Sequence, residues 1–184
     1  PMYRPFWAEI EKLDVPFYMH PREMMPVNSE IIEGHPWLAG AAWGFTVETA
    51  SHTLRLMGSG LFDEFPKLKY IIGHLGETLP FIIKRIDNRI ALATTAGYGP
   101  KSKKPFYEYM ANNMWFTTSG QFYTAPFSAT LMEFGADRLL FATDWPFEEV
   151  SDTAAWFDQA PMSELDRRKI GRTNSIDLFK LTDL

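Results

Sequence analysis

The sequence contains no cysteine among its 184 residues. This absence excludes a disulfide framework, a thiolate metal site and a thiol nucleophile, so a metal ion would have to be held by His, Asp or Glu. Long apolar runs are also missing, since no stretch approaches the roughly 20 residues that a transmembrane helix needs. No basic segment followed by an apolar one opens the chain. We therefore expect a cytoplasmic protein.

Positive charge is scarce, with 18 Lys and Arg against 23 Asp and Glu, a net charge of −5 and a pI near 5.4. This balance provides no basic patch, which argues against nucleic acid or an anionic membrane as the main partner. The chain is nevertheless 46% hydrophobic and 15% aromatic, enough for a substantial core. We expect a single globular unit, residues 1–184, with a small molecule as its partner.

Strand and helix patterns alternate along the chain. Helices are predicted from apolar spacing and cap residues at 5–13, 46–57, 80–90, 124–135, from 163 onwards and at 175–181. Strands are predicted at four apolar runs: 15–19, 68–72, 114–118 and 139–143. Such alternation implies a parallel sheet with right-handed crossovers. A full (β/α)8 barrel typically needs about 250 residues, so this chain holds about half of one.

Three of these strands end at a side chain that can bind a metal or transfer a proton. His20 follows the first run, His74 follows the second, and Asp144 follows the fourth. In a parallel α/β barrel the C-terminal ends of the strands converge on one face. The sequence therefore predicts an active site at this face.

Each of these residues also has a purely structural interpretation. His20 alone could be a satisfied core or cap residue. In the segment 73–77, His74 and Glu77 could form a general base with its orienting carboxylate, or the glycines could shape a turn while Glu77 caps the next helix. Asp144 could cap a helix, although a carboxylate at the end of an apolar strand is costly to bury unless it is paired or metal-bound.

These motifs, in this order, resemble those of the amidohydrolase superfamily, in the branch of the γ-resorcylate, 2,3-dihydroxybenzoate and aminocarboxymuconate-semialdehyde decarboxylases. The matching segments are 20–22, 73–81 and 142–147, and the resemblance extends over nearly the whole chain, including the closing helix. It implies an α/β fold that forms the C-terminal portion of a (β/α)8 TIM barrel, about strands five to eight, with the N-terminal strands absent.

The resemblance also implies roles for individual residues. His20 and Asp144 would bind a divalent metal, zinc or manganese, and Asp144 would also donate a proton to the substrate ring. His74 and Glu77 would form the catalytic pair. The implied activity is metal-dependent, non-oxidative decarboxylation of a hydroxybenzoate-type aromatic acid by a carboxy-lyase.

Two further residues are assigned to substrate binding by the same resemblance. Arg85 falls where the family has an arginine near the site, and Phe147 where it has an aromatic pocket wall. A surface ion pair is an equally good interpretation of Arg85. Of the other histidines, His35 could line the pocket and His52 is expected at the surface.

The predicted metal site departs from the family pattern, because no Glu-x-His motif precedes His20. Two protein ligands are fewer than the three that a catalytic zinc site usually has. We therefore expect a C-terminal half of a longer protein, whose activity in this chain alone is incomplete. Two alternatives stay open: a metal-dependent hydrolase of a lactone or amide with Asp144 as general base, and an inactive half-barrel that pairs with another chain. A homo-oligomer is expected from the family.

Overall fold

A computed structural model describes residues 2–23, 30 and 32–181. Its sheet has four strands in the order β1-β2-β3-β4, and all three strand pairs are parallel. The strands are β1 (Pro16–Met19), β2 (Lys69–Ile72), β3 (Met114–Thr117) and β4 (Leu139–Leu140). Because neighbours in the sheet are also neighbours in sequence, each connection is a crossover of the βαβ type. This arrangement confirms the predicted alternation.

Helices connect the strands and cover one face of the sheet. None of those in the described part of the chain is long and apolar enough to cross a membrane. They are α1 (Arg4–Leu13), α2 (Gly44–Gly58), α3 (Leu61–Glu64), α4 (His74–Glu77), α5 (Leu79–Thr95), α6 (Phe106–Asn113), α7 (Thr124–Phe134), α8 (Val150–Gln159), α9 (Glu164–Arg168) and α10 (Asn174–Phe179). Short 3-10 turns occupy Pro36–Leu38 and Ala136–Arg138, and a π turn occupies Lys169–Thr173.

The main core lies between the sheet and its helices. Alternate strand residues such as Tyr70, Ile72 and Phe116 are fully buried there, against Met57 of α2 and Met110 of α6. Complete burial of side chains of this size contributes about 1.5–3 kcal/mol each. The intervening strand residues point to the opposite, concave face of the sheet. In the half-barrel expected from the sequence, that face corresponds to the interior.

The concave face has a small apolar cluster of its own. Ile71 and Leu140 pack there with Leu178 of α10, and Trp115 is partly buried beside them. α10 itself is anchored by Asn174, whose amide donates to the backbone oxygens of Ala136 and Leu139. The C-terminal helix therefore stabilises the sheet from the concave side.

An ion cluster fastens the edge of the sheet at which the strands begin. Asp14, just before β1, contacts the amine of Lys69 at 2.5 Å and that of Lys180 at 2.6 Å. Hydrogen bonds from Lys180 and then Lys69 lower the pKa of Asp14 to about 2. The cluster joins the first strand, the second strand and the end of α10.

The fourth strand is shorter than the predicted run 139–143. Only Leu139–Leu140 pair with β3. Beyond them, the hydroxyl of Thr118 takes the place of backbone groups as the hydrogen-bond partner of the chain. That hydroxyl donates to the oxygen of Ala142 at 2.8 Å and accepts from its amide at 3.0 Å. The strand ladder therefore stops two residues into the predicted run.

Local sequence patterns also missed helix α6. The residue before this helix provides no capping side chain. Asp87 of α5 caps the helix instead, since its carboxylate accepts from the amides of Phe106 and Tyr107 at 2.7 and 2.9 Å. On α5 the buried residues are Leu79, Pro80 and Ile83, whereas Ile82, Ile86 and Ile90, which are spaced four residues apart, are only half-buried.

Candidate active site

The C-terminal ends of the strands lie along one edge of the sheet. Met19 pairs with Ile72, and Ile72 pairs with Phe116, so the residues that follow β1, β2 and β3 are neighbours there. His20 and His74 are among those residues. This register confirms that the predicted strand ends meet at a common edge.

α4 is a single turn of unusual handedness. The five residues 74–78 have φ angles between 51° and 84°, and four of them are not glycine. A left-handed conformation costs an L-residue about 1–2 kcal/mol, so surrounding contacts have to hold the turn. Gly76 donates to the oxygen of Gly73 at 2.8 Å, and Leu75 is buried. A Cβ at Gly76 would lie 2.8 Å from Pro80, so the turn requires glycine there.

The left-handed turn brings His74 and Glu77 together. Nδ1 of His74 bonds to Oε1 of Glu77, whose side chain is almost completely buried. Burial lowers the pKa of His74, but the hydrogen bond and charge of Glu77 and the charge of Asp144 outweigh it, and the net pKa is raised. Because Glu77 engages Nδ1, the other ring nitrogen, Nε2, faces the open side of the site.

Asp144 faces this free nitrogen. Its Oδ2 lies 3.9 Å from Nε2 of His74. Gly120 lies between the two groups, and a Cβ there would be 2.9 Å from Cδ2 of His74 and 3.0 Å from Oδ2 of Asp144. The absence of a side chain at this position keeps the space between imidazole and carboxylate open. The site therefore presents an imidazole and a carboxylate, both groups that can transfer protons, to a common space.

His20 lies exposed directly after β1. Its Nδ1 is 2.6 Å from the oxygen of Pro21, which can only accept, so Nδ1 donates and Nε2 keeps its lone pair for a ligand. No group of three or more His, Cys, Asp or Glu side chains within the described ranges is placed to hold a metal. His20 and Asp144 suit a divalent ion by the chemistry of their donors, as part of a ligand set.

The predicted substrate-binding residues Arg85 and Phe147 are both exposed. Phe147 is 83% exposed, two residues beyond Trp145, which is 73% exposed. Arg85 is exposed on α5, in a cleft with Ile82 and Ile86 rather than in the cavity that His74 lines. Substrate binding by Arg85 and Phe147 therefore stays a prediction.

The other two histidines each contact a neighbouring side chain. His35 is exposed and stacks edge-on against Trp37. His52 is exposed on α2, with its ring 3.7 Å from Glu48. The surface position of His52 agrees with the expectation.

A cavity of about 330 Å³ adjoins His74 between α4 and α7. Apolar side chains dominate its wall, including Leu75, Phe81 and Pro126. Sequence reasoning missed this space, and it also missed three hydroxyl groups below His74, those of Tyr18, Thr117 and Ser119. The alternation of β1 and β3 puts the first two on the concave face, but no local pattern shows that they meet.

Comparison with known proteins gives the site its family. The amidohydrolase family model matches residues 1–181. The chain belongs to this amidohydrolase family. A γ-resorcylate decarboxylase from Rhizobium sp. is 53% identical over 181 residues, which are 98% of this chain and 55% of the relative. The chain thus spans about half the length of the curated relatives it matches.

Solved structures give the same result. The structure of 2,6-dihydroxybenzoate decarboxylase complexed with 2,6-dihydroxybenzoate matches 98% of this chain and 55% of its own, with 52% identity and a TM-score of 0.91. A dihydroxybenzoic acid decarboxylase from Polaromonas sp., with manganese and the inhibitor 2-nitroresorcinol bound, matches 99% of this chain and 55% of its own, with 49% identity and a TM-score of 0.93. The predicted family and partial TIM barrel are confirmed.

Proposed function

We propose that this chain forms the C-terminal half of a metal-dependent, non-oxidative decarboxylase of hydroxybenzoate-type acids. The observation that carries the proposal is the His74 and Glu77 pair facing Asp144 across the space that Gly120 leaves open. The identity to γ-resorcylate decarboxylases supports 2,6-dihydroxybenzoate as the first substrate to test.

His20 and Asp144 would hold a divalent metal, zinc or manganese, together with ligands from outside the described residues. When bound, the ion would supply positive charge to the substrate's carboxylate and neighbouring hydroxyl oxygens. The manganese in the Polaromonas relative supports this choice of ion.

In the proposed reaction Asp144 takes up a proton from solvent on Oδ2 and delivers it to the ring carbon that carries the carboxylate, so that each turnover consumes one solvent proton. The bond from that carbon to the carboxylate then breaks, its electron pair returns to the ring, and CO2 leaves. His74 holds the substrate hydroxyl through Nε2 while Glu77 fixes the ring of His74 through Nδ1. The net change is replacement of the carboxylate by hydrogen, which needs no redox partner.

The finer expectations belong to the same proposal. Phe147 and Arg85 would contact the aromatic acid, and the protein would act in the cytoplasm as a homo-oligomer. The net charge of −5 supports a small-molecule partner rather than nucleic acid.

Activity is tested with this chain joined behind the N-terminal part of the Rhizobium γ-resorcylate decarboxylase, because the chain covers 55% of that relative. With manganese or zinc, the fusion should convert 2,6-dihydroxybenzoate to resorcinol or 2,3-dihydroxybenzoate to catechol. His74→Ala should abolish turnover, whereas His52→Ala, the same change at an exposed histidine, should not. Turnover of lactones or amides alone would establish the hydrolase instead.

The 184-residue chain by itself provides the second arm of this experiment. We expect it to be inactive or weakly active, since it offers two of the three protein ligands that a catalytic metal site usually has. Light scattering and metal analysis test the half-barrel alternative. A metal-free, inert oligomer of the chain, together with an inactive fusion, would support that alternative and contradict the decarboxylase proposal.

A further inference from the structure

Three hydroxyl groups form a network directly below the left-handed turn. The hydroxyl of Tyr18 lies 2.9 Å from that of Thr117 and 3.3 Å from that of Ser119, and the last two are 2.7 Å apart. Thr117 and Ser119 are buried, at 3% and 4% exposed. The network therefore connects β1 with the end of β3 across the intervening strand β2.

The position of Gly73 allows this connection. Gly73 follows β2, and a Cβ there would lie 3.3 Å from both the hydroxyl of Tyr18 and that of Ser119. Its φ of −69° is open to any residue, so space rather than backbone conformation is what the glycine provides. A side chain at this position would press on the network.

The network ends on the backbone of His74. The amide of His74 donates to the hydroxyl of Ser119 at 3.4 Å. His74 is the first residue of the left-handed turn. It lies two residues beyond Ile72, which forms the last pair of β2 with β3, opposite Phe116. On the far side of the turn, the hydroxyl of Thr130 of α7 lies 3.4 Å from the oxygen of Leu75, but its shorter bond, at 3.0 Å, goes to the oxygen of Pro126. The strained turn is thus held mainly from below, through Ser119.

We propose that Tyr18 and Ser119 are positioning residues for His74. Ser119 fixes the first amide of the left-handed turn, and Tyr18 fixes Ser119 directly and through Thr117. The left-handed turn then orients the ring of His74 so that its Nε2 faces Oδ2 of Asp144, 3.9 Å away. The effect on reaction rate rests on the proposed function, whereas the effect on the turn does not.

The test removes single hydroxyl groups and measures the turn first. In the 184-residue chain, Ser119→Ala and Tyr18→Phe should speed hydrogen exchange of the His74 amide, measured by NMR, with the larger change in Ser119→Ala. Thr117→Ser, which keeps its hydroxyl, should retain slow exchange. Tyr70→Phe is the matched control, because it removes a buried tyrosine hydroxyl that bonds to Thr53 at 3.3 Å in the other face of the sheet.

The second measurement is steady-state kinetics in the fusion enzyme. Misplacement of a catalytic group by about 1 Å can cost about 100-fold in rate. We therefore expect Ser119→Ala and Tyr18→Phe to lower kcat by about 10- to 100-fold while KM changes by less than about twofold, and Tyr70→Phe to leave both near wild type.

Equal His74 amide exchange in Ser119→Ala, Tyr18→Phe and Tyr70→Phe would overturn the proposal. A rise in KM with unchanged kcat would also overturn it, because that result describes a substrate contact. Melting curves of all four variants identify any loss of amide protection that comes from global unfolding. If the fusion has no decarboxylase activity, the proposed function fails, but the exchange data still decide the role of the network.

Discussion

Replacing Gly120 by alanine should lower both the stability of the fold and the catalytic rate, and a control variant can separate these two effects. Gly120 has a φ of +62°, so alanine there pays about 1–2 kcal/mol for the left-handed conformation. Its methyl group would also lie 2.9 Å from His74 and 3.0 Å from Asp144, whereas carbon atoms in contact prefer about 3.5–4.0 Å. One of the two side chains therefore has to move by about 0.5–1 Å.

Gly97→Ala provides the matched control for the backbone strain. Gly97 has a φ of +88°, and a Cβ there would meet nothing within 4 Å. Both variants should lose about 1–2 kcal/mol of unfolding free energy, which lowers Tm by roughly 2–8 °C in a chain of this size. Only Gly120→Ala should also lose about 100-fold in kcat, because only this methyl group displaces a side chain that the proposed reaction uses.

Calorimetry and decarboxylation kinetics measure the two effects separately. Similar stability losses with a selective loss of kcat in Gly120→Ala are the expected outcome. If Gly120→Ala retained full activity, or if Gly97→Ala lost as much, the space between His74 and Asp144 would not be the reacting space and the reasoning would be refuted.

Three further predictions concern charge and capping. Glu77→Gln should lower the pKa of His74, measured by NMR titration, because the Glu77 carboxylate raises it; an unchanged pKa would contradict the pairing. The pKa of Asp14 is lowered to about 2, so its stabilisation is complete above about pH 4 and is lost as the pH falls towards 2. Asp14→Asn should therefore flatten the loss of Tm over that window, and an unchanged slope would exclude the ion cluster as its source. Asp87→Ala should destabilise the chain by about 1–2 kcal/mol in urea unfolding, because the start of α6 loses its cap, whereas exposed Asp158→Ala should change little.

The sequence predicted those parts of the fold that depend on local patterns. Apolar spacing located α1, α2 and α5, first-turn residues located α7, and Ser163 caps α9 by accepting from the amide of Asp166, as expected. The strand ends at His20 and His74 were also correctly placed along one edge. The spacing of apolar residues and the presence of capping residues depend on a few adjacent positions, so both can be recognised from the sequence alone.

Several of the features that escaped prediction depend on residues far apart in sequence. The cap of α6 comes from Asp87, 19 residues before it, and β4 is cut short by the hydroxyl of Thr118, 24 residues away from Ala142. The left-handed turn at 74–78 contradicts intrinsic backbone preference and persists through its surroundings. Prediction of such features requires the assembled structure.

The sheet leaves β1 and β4 as its two outer strands within the described residues. His20 directly follows the first of them, and Asp144 lies four residues beyond the second. The candidate metal donors therefore stand at the two seams where a complementary half-barrel would dock. Docking of the second half would then close the barrel and complete the coordination of the ion in one step. Ion occupancy would therefore report directly on correct assembly.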